Sequence, residues 1–215
     1  MKSVDSKSWI LSTANDQAVH VWLYVRDVFG LEAISAEVPP SLDDIDLVPD
    51  VEMSSSERND LSLAWLLWWR RLIHATGANH LGSQDGDQLA RIVTRRPIFD
   101  WFDGFESLAD FPTLRSAAQR TWKQGIEWTN AHAAKTLRRD WAIPKNVAEL
   151  VMQEHHVPPE RVRAAVLVMA VKGEWSFISD PGVLLCSEET FFDDALFAVE
   201  LKRTFESGLG VIGQH

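Results

Sequence analysis

Apolar positions between Leu61 and Ala75 recur at helical spacing. Leu61, Trp65, Trp68, Leu72 and Ala75 share one face, and Leu63, Leu66, Leu67, Trp69 and Ile73 widen it over most of the circumference. Ser54 with Glu57 makes a capping box ahead of this run, and Gly77 supplies a stop. A helix apolar on most sides belongs in a core or at an interface.

Thr13 to Gly30 fits two readings. Thr13 and Asp16 stand at capping-box positions and Gly30 at a C-terminal stop. Yet Val19, Val21, Leu23 and Val25 alternate with His20, Trp22 and Tyr24, which is strand periodicity. The length of the run into Val28 and Phe29 favours helix. Pro112 begins a long helix to about Arg139, with Leu114, Ala118, Trp122, Gly125, Trp128, His132 and Leu137 inward. A helix is expected from about Asp87 to Thr94, ended by Pro97, and another starts at Pro144 and stops at Pro158-Pro159. Three short strands follow, Ala164–Val171, Trp175–Ile178 and Val183–Cys186, separated by turns at Lys172-Gly173 and Asp180-Pro181-Gly182. A final helix runs from Asp193 to Ser207 and stops at Gly208. The expected fold is α+β and predominantly α-helical. It is a helical body with a small antiparallel β-meander near the C-terminus and a last helix after it.

The chain of 215 residues suits a single domain. Within it, residues 1–142 read as mainly helical, 143–207 as helix, meander and helix, and 208–215 as a flexible tail. Residues 31–56 read as a loop, broken by Pro39-Pro40 and Pro49 and made acidic by Asp43, Asp44, Asp46, Asp50 and Glu52. The formal net charge is −10. Residues 1–60 carry four basic and twelve acidic side chains, residues 61–145 twelve and eight, and residues 146–215 five and eleven. Acidic ends argue against general nucleic-acid binding, which needs a basic surface to displace counterions. They suit a basic partner, or packing beside the basic middle. One cysteine, no signal-type leader and no apolar run long enough to span a bilayer point to a cytoplasmic, soluble protein.

Candidate chemistry is sparse. Gly208-Leu-Gly210-Val-Ile-Gly213 matches a dinucleotide fingerprint by letter, but it follows a helix instead of joining a strand to one. Glu154-His155-His156, with Glu149 nearby, invites a metal, yet adjacent histidines on a helix diverge and no ligand pair has i, i+4 spacing. His74, His80 and His132 read as structural unless they converge on Asp85 or Asp87. Cys186 reads as a buried thiol without an adjacent base. No catalytic residue, cofactor or metal site is assigned.

Ten tryptophans against one tyrosine remain. Most fill a core, but Trp68-Trp69-Arg70-Arg71 cannot all point inward, and tryptophan is common at interface hot spots. The leading expectation is a non-catalytic acidic protein that binds a protein with a basic surface, as an immunity protein binds a toxin. Asp43, Asp44, Asp46, Asp50, Glu52, Trp68 and Trp69 would form the contact. The alternatives are a small-molecule-binding protein or enzyme with a pocket among Trp65, Trp69, Trp122 and Trp128, aided by His74 or His132, and a self-associating structural subunit.

Overall fold

The computed structural model describes residues 8–42, 45, 53–81, 105–134, 137 and 139–210. The acidic residues Asp43, Asp44, Asp46, Asp50 and Glu52, the helix expected at Asp87–Thr94, and Asp85 lie outside them. The described elements are β1 (Ile10–Ala14), α1 (Gln17–Val28), α2 (Ser55–Leu81), α3 (Pro112–His132), α4 (Ala142–His155), β2 (Arg163–Met169), β3 (Ser176–Asp180), β4 (Val183–Ser187), the short α5 (Glu188–Phe192) and α6 (Asp194–Gly208). The fold is α+β and dominated by helix.

The four strands form one mixed sheet in the order β1-β2-β4-β3. β1 and β4 both run parallel to β2, and only β3 is antiparallel to its neighbour β4. The three C-terminal strands therefore do not follow one another across the sheet as a meander would. The chain leaves β2, crosses to the far edge as β3, then turns back so that β4 inserts between them. Composition explains this order. β2 (Arg-Ala-Ala-Val-Leu-Val-Met) and β4 (Val-Leu-Leu-Cys-Ser) have almost no polar position, so both faces of each must be covered. β1 (Ile-Leu-Ser-Thr-Ala) and β3 (Ser-Phe-Ile-Ser-Asp) are half polar and take the edges.

Strand alternation then divides the interior in two. Leu167, Met169, Val183 and Leu185 face α1, α2 and α3, while Ala164, Val166, Val168, Leu184 and Cys186 face α4, α5 and α6. α1 begins at Asp16, whose carboxylate accepts from the Ala18 amide at 2.9 Å, and the separate strand β1 precedes it. The ambiguous stretch is thus a strand followed by a helix. Residues 18 to 23 of that helix are all buried, so its strand-like alternation carries no facing information. No helix among the described residues is long and apolar enough to cross a membrane.

The capping box of α2 forms as expected. The Ser54 amide donates to Glu57 Oε2 at 2.8 Å and the Glu57 amide to Ser54 Oγ at 3.2 Å. Gly77, however, does not stop the helix, which continues to Leu81. Its role is contact: a Cβ there would lie 2.8 Å from Val183 Cγ1. The absent side chain lets α2 lie directly on β4. Gly77→Ala is expected to destabilise the protein by about 1–3 kcal/mol in denaturant titrations. Val183→Ala in the same chain should make the double variant less destabilised than the two single changes predict together.

Candidate functional site

Leu137, Arg139 and Trp141, which follow α3, line a concavity. α3 ends at His132, because Ala133 turns extended (φ −71°, ψ 143°), and not at Arg139 as periodicity suggests. Asn15 Nδ2 donates to the Ala134 carbonyl at 2.9 Å, and Trp141 lies 6.1 Å from Trp9. These contacts place Ala134 beside one end of β1 and Trp141 beside the other. α1, which follows β1, packs on the opposite face of the sheet. On the α6 side of β1 lies a half-open cleft of about 350 Å³. Leu11 and Thr13 of β1 form one wall, Phe191 of α5 and Phe197 of α6 another, and Leu137, Arg139, Trp141 and Pro144 the rest.

Arg139 is the charged member of this lining. Its side chain is 8% exposed. The guanidinium carbon sits 4.2 Å from the Phe197 ring centre and 5.6 Å from that of Phe191, within cation–π range of both. Nη2 donates to Asp194 Oδ1 at 2.5 Å. Nε and Nη1 are buried and have no hydrogen-bond partner among the described residues. Burial pushes the guanidinium below its ordinary pKa, an effect opposed by Asp194 and then Asp193. It stays cationic at neutral pH.

Arg26 supplies an internal comparison. Its side chain is as deeply buried, at 5% exposure, and every nitrogen is used. Nε and Nη2 donate to the two oxygens of Asp27, Nη1 to the Pro39 carbonyl and Nη2 also to that of Pro40. Asp27 Oδ2 in turn accepts from the Leu42 amide at 2.7 Å. Arg26 thus ties the start of the loop to α1. Where this fold buries an arginine for structure, it satisfies it. Among the described residues Arg139 finds acceptors only for Nη2, in Asp194 and the Asp193 carbonyl.

The residues singled out from the sequence lie elsewhere. Trp68 and Trp69 are 4% and 1% exposed, inside the core. Trp69 stacks on Trp65 at 5.2 Å and donates to the Glu37 carbonyl at 3.1 Å, and Trp68 meets the edge of Trp22 at 5.6 Å. They are not available as surface anchors. Trp128 stacks on His132 at 4.7 Å. A smaller cavity of about 230 Å³ does bring Trp69 near His74, whose Nδ1 is 3.0 Å from Asp180 Oδ1. The carboxylate beside His74 is thus Asp180 of β3. His80 Nδ1 pairs with Ser12 Oγ at 3.1 Å, and His132 Nδ1 with the Trp128 carbonyl at 2.9 Å.

Glu154, His155 and Glu206 gather within 4.8 Å, close enough to hold a cation. Lys202 already supplies one: its ammonium lies 2.8 Å from Glu154 Oε2 and 3.6 Å from Glu206 Oε1, while His155 Nε2 is 3.0 Å from Glu206 Oε1. His156 lies apart, at the left-handed cap of α4. Cys186 is fully buried, and burial followed by Glu200 pushes its thiol far above the ordinary range, the opposite of an activated nucleophile.

No protein-family model, curated protein or solved structure matches the chain. The site therefore rests on geometry alone. Arg139 was hidden in the sequence among Arg138, Asp140 and the residues of an apparent helix. The one local signal was Asp140 ahead of Pro144, a helix-start pattern that limits how far the preceding helix can run.

His20, unlike Arg139, is completely satisfied. Nδ1–H donates to the Asp16 carbonyl at 3.0 Å, so Nε2 carries the lone pair that accepts from the Ala170 amide at 3.0 Å. Burial lowers its pKa, against smaller raising effects from Asp16. Above about pH 6.5 both native and unfolded states hold it neutral and it adds no pH dependence. Below that the unfolded chain takes up a proton that the native ring resists, so stability should fall. Denaturant titrations from pH 7.5 to 5 should show a shallower fall in His20→Gln, and an unchanged slope would contradict this account of the histidine.

Proposed function

We propose that the protein is a non-catalytic binding protein whose ligand enters the Arg139 cleft. The ligand places an apolar body against Leu137, Phe191 and Trp141 and offers an oxygen acceptor to the guanidinium. The observation that carries this reading is the pair of buried donors, Nε and Nη1, without a partner among the described residues, in a cation that packs against Phe197 and Phe191. Leaving a buried donor unmet costs about 1–3 kcal/mol, more for a charged group, and a ligand oxygen recovers it. A cleft of about 350 Å³ lies within the range of small-ligand sites, which are apolar with a few placed polar groups.

The protein-partner reading narrows in the same light. With Trp68 and Trp69 in the core, the exposed tryptophan among the described residues is Trp141, 59% exposed at the cleft rim. The net charge of −10 still favours a partner that is basic around its point of contact.

Calorimetric titration with phenylacetate and 4-methylpentanoate, and with the corresponding neutral amides, tests the proposal. The carboxylates should bind at least about tenfold more tightly than the amides, a difference of about 1.4 kcal/mol. Arg139→Met should abolish binding without loss of the folded circular-dichroism signal. Binding that survives this substitution, or carboxylates that do not bind, would count against the reading.

A further inference from the structure

Glu154-His155 lacks a further metal ligand on its own helix, and the fold brings one from 51 residues along the chain. The C-terminal ends of α4 and α6 lie together, so Glu154 and His155 in the last turn of α4 meet Glu206 in the last turn of α6. One oxygen of each glutamate and one ring nitrogen of the histidine all lie within 4.8 Å of one another. His155 Nε2 and Glu206 Oε1 are 3.0 Å apart. Ligands around a tetrahedral zinc ion, with bonds of about 2.0 Å, are separated by about 3.3 Å. His155 and Glu206 are mostly enclosed, and Glu154 is exposed enough to turn towards them. One imidazole and two carboxylates are ligands that zinc accepts.

Independent features make this place attractive to a cation. Two helix C-termini meet here, and each carries roughly half a negative charge from its aligned peptide dipoles. Lys202 already answers that field. Its ammonium lies 2.8 Å from Glu154 Oε2 and 3.6 Å from Glu206 Oε1. Donating to Glu154 raises the lysine above its ordinary pKa, against a smaller lowering by burial. The ammonium offsets only one of the two carboxylates. Its side chain is 34% exposed, so it can withdraw into water when a more highly charged ion arrives.

We infer that Glu154, His155 and Glu206 form a zinc site in which Lys202 holds the place of the ion. Because a carboxylate only accepts, His155 Nε2–H is the donor to Glu206. On zinc binding that proton passes by way of water to Nδ1, and the freed Nε2 lone pair joins one oxygen of each glutamate on the metal. Water fills the fourth position. The ion then ties the end of α4 to the end of α6. None of these residues lines the Arg139 cleft, so the site stands apart from the ligand proposed there.

Calorimetric titration of the untagged full-length protein with zinc chloride, after treatment with a chelator, tests the inference. One equivalent should bind and raise the thermal midpoint. His155→Gln and Glu206→Gln should each weaken binding at least about tenfold while the circular-dichroism signal stays folded. Glu154→Gln, on the exposed side, should weaken binding too and serves where the enclosed substitutions disturb folding. Lys202→Met removes the competing ammonium and should tighten binding about fivefold. Excess magnesium, which prefers oxygen ligands and keeps its waters, should not displace the zinc. Equal zinc binding by the parent and all three ligand variants would place the ion elsewhere and overturn the site. If neither the parent nor Lys202→Met binds zinc, the cluster is an ion-pair network and the inference fails. If Lys202→Met binds zinc and the parent does not, the lysine is the resident cation and the inference fails as well.

Discussion

The burial of β2 and β4 on both faces is the constraint from which the rest of the architecture follows. Two strands with almost no polar position cannot lie at an edge or face water. They become the sheet's interior and require helices above and below, α1 to α3 on one side and α4 to α6 on the other. The half-polar strands are displaced to the edges, where β1 borders the cleft. Close contact across the α2–β4 layer is possible because Gly77 has no side chain to hold the helix away from Val183.

Much of this was legible along the chain where local chemistry decides the outcome. The Ser54–Glu57 cap, the Asp193 cap of the last helix and the turn at Asp180-Pro181-Gly182 form where expected, because each depends on residues a few positions apart. Strand order was not legible, because β2, β3 and β4 compete for the same central positions and the outcome depends on relative burial. Gly77 misled because a glycine that serves a contact looks like one that ends a helix. The tryptophans Trp68 and Trp69 invited a surface role through their density, yet the helix that bears them is enclosed by α1 and the sheet.

The candidate site was the least legible part. Nothing local distinguishes Arg139 from the other arginines of the basic middle segment. Its character arises from Phe191, Asp194 and Phe197, more than fifty residues along the chain. Arg26 makes the contrast informative: the same side chain, equally buried, is met by a carboxylate and two carbonyls. A fold able to complete the hydrogen bonds of one buried arginine leaves the other incomplete beside an open cleft. The proposed ligand-binding role accounts for that difference by giving the unmet donors an acceptor.

The most direct test is therefore the stability of the ligand-free protein carrying Arg139→Met. Methionine is of similar length, packs well against Phe191 and Phe197, and brings no donors to satisfy. Replacing a buried ion pair with apolar atoms is often neutral or stabilising, and Asp194, already mostly in solvent, can be left unpaired at little cost. If Arg139 is held for a ligand, the unfolding free energy of the variant should equal or exceed that of the parent. A loss of about 3 kcal/mol or more would show that the arginine is a structural residue, contradicting the binding role assigned to it.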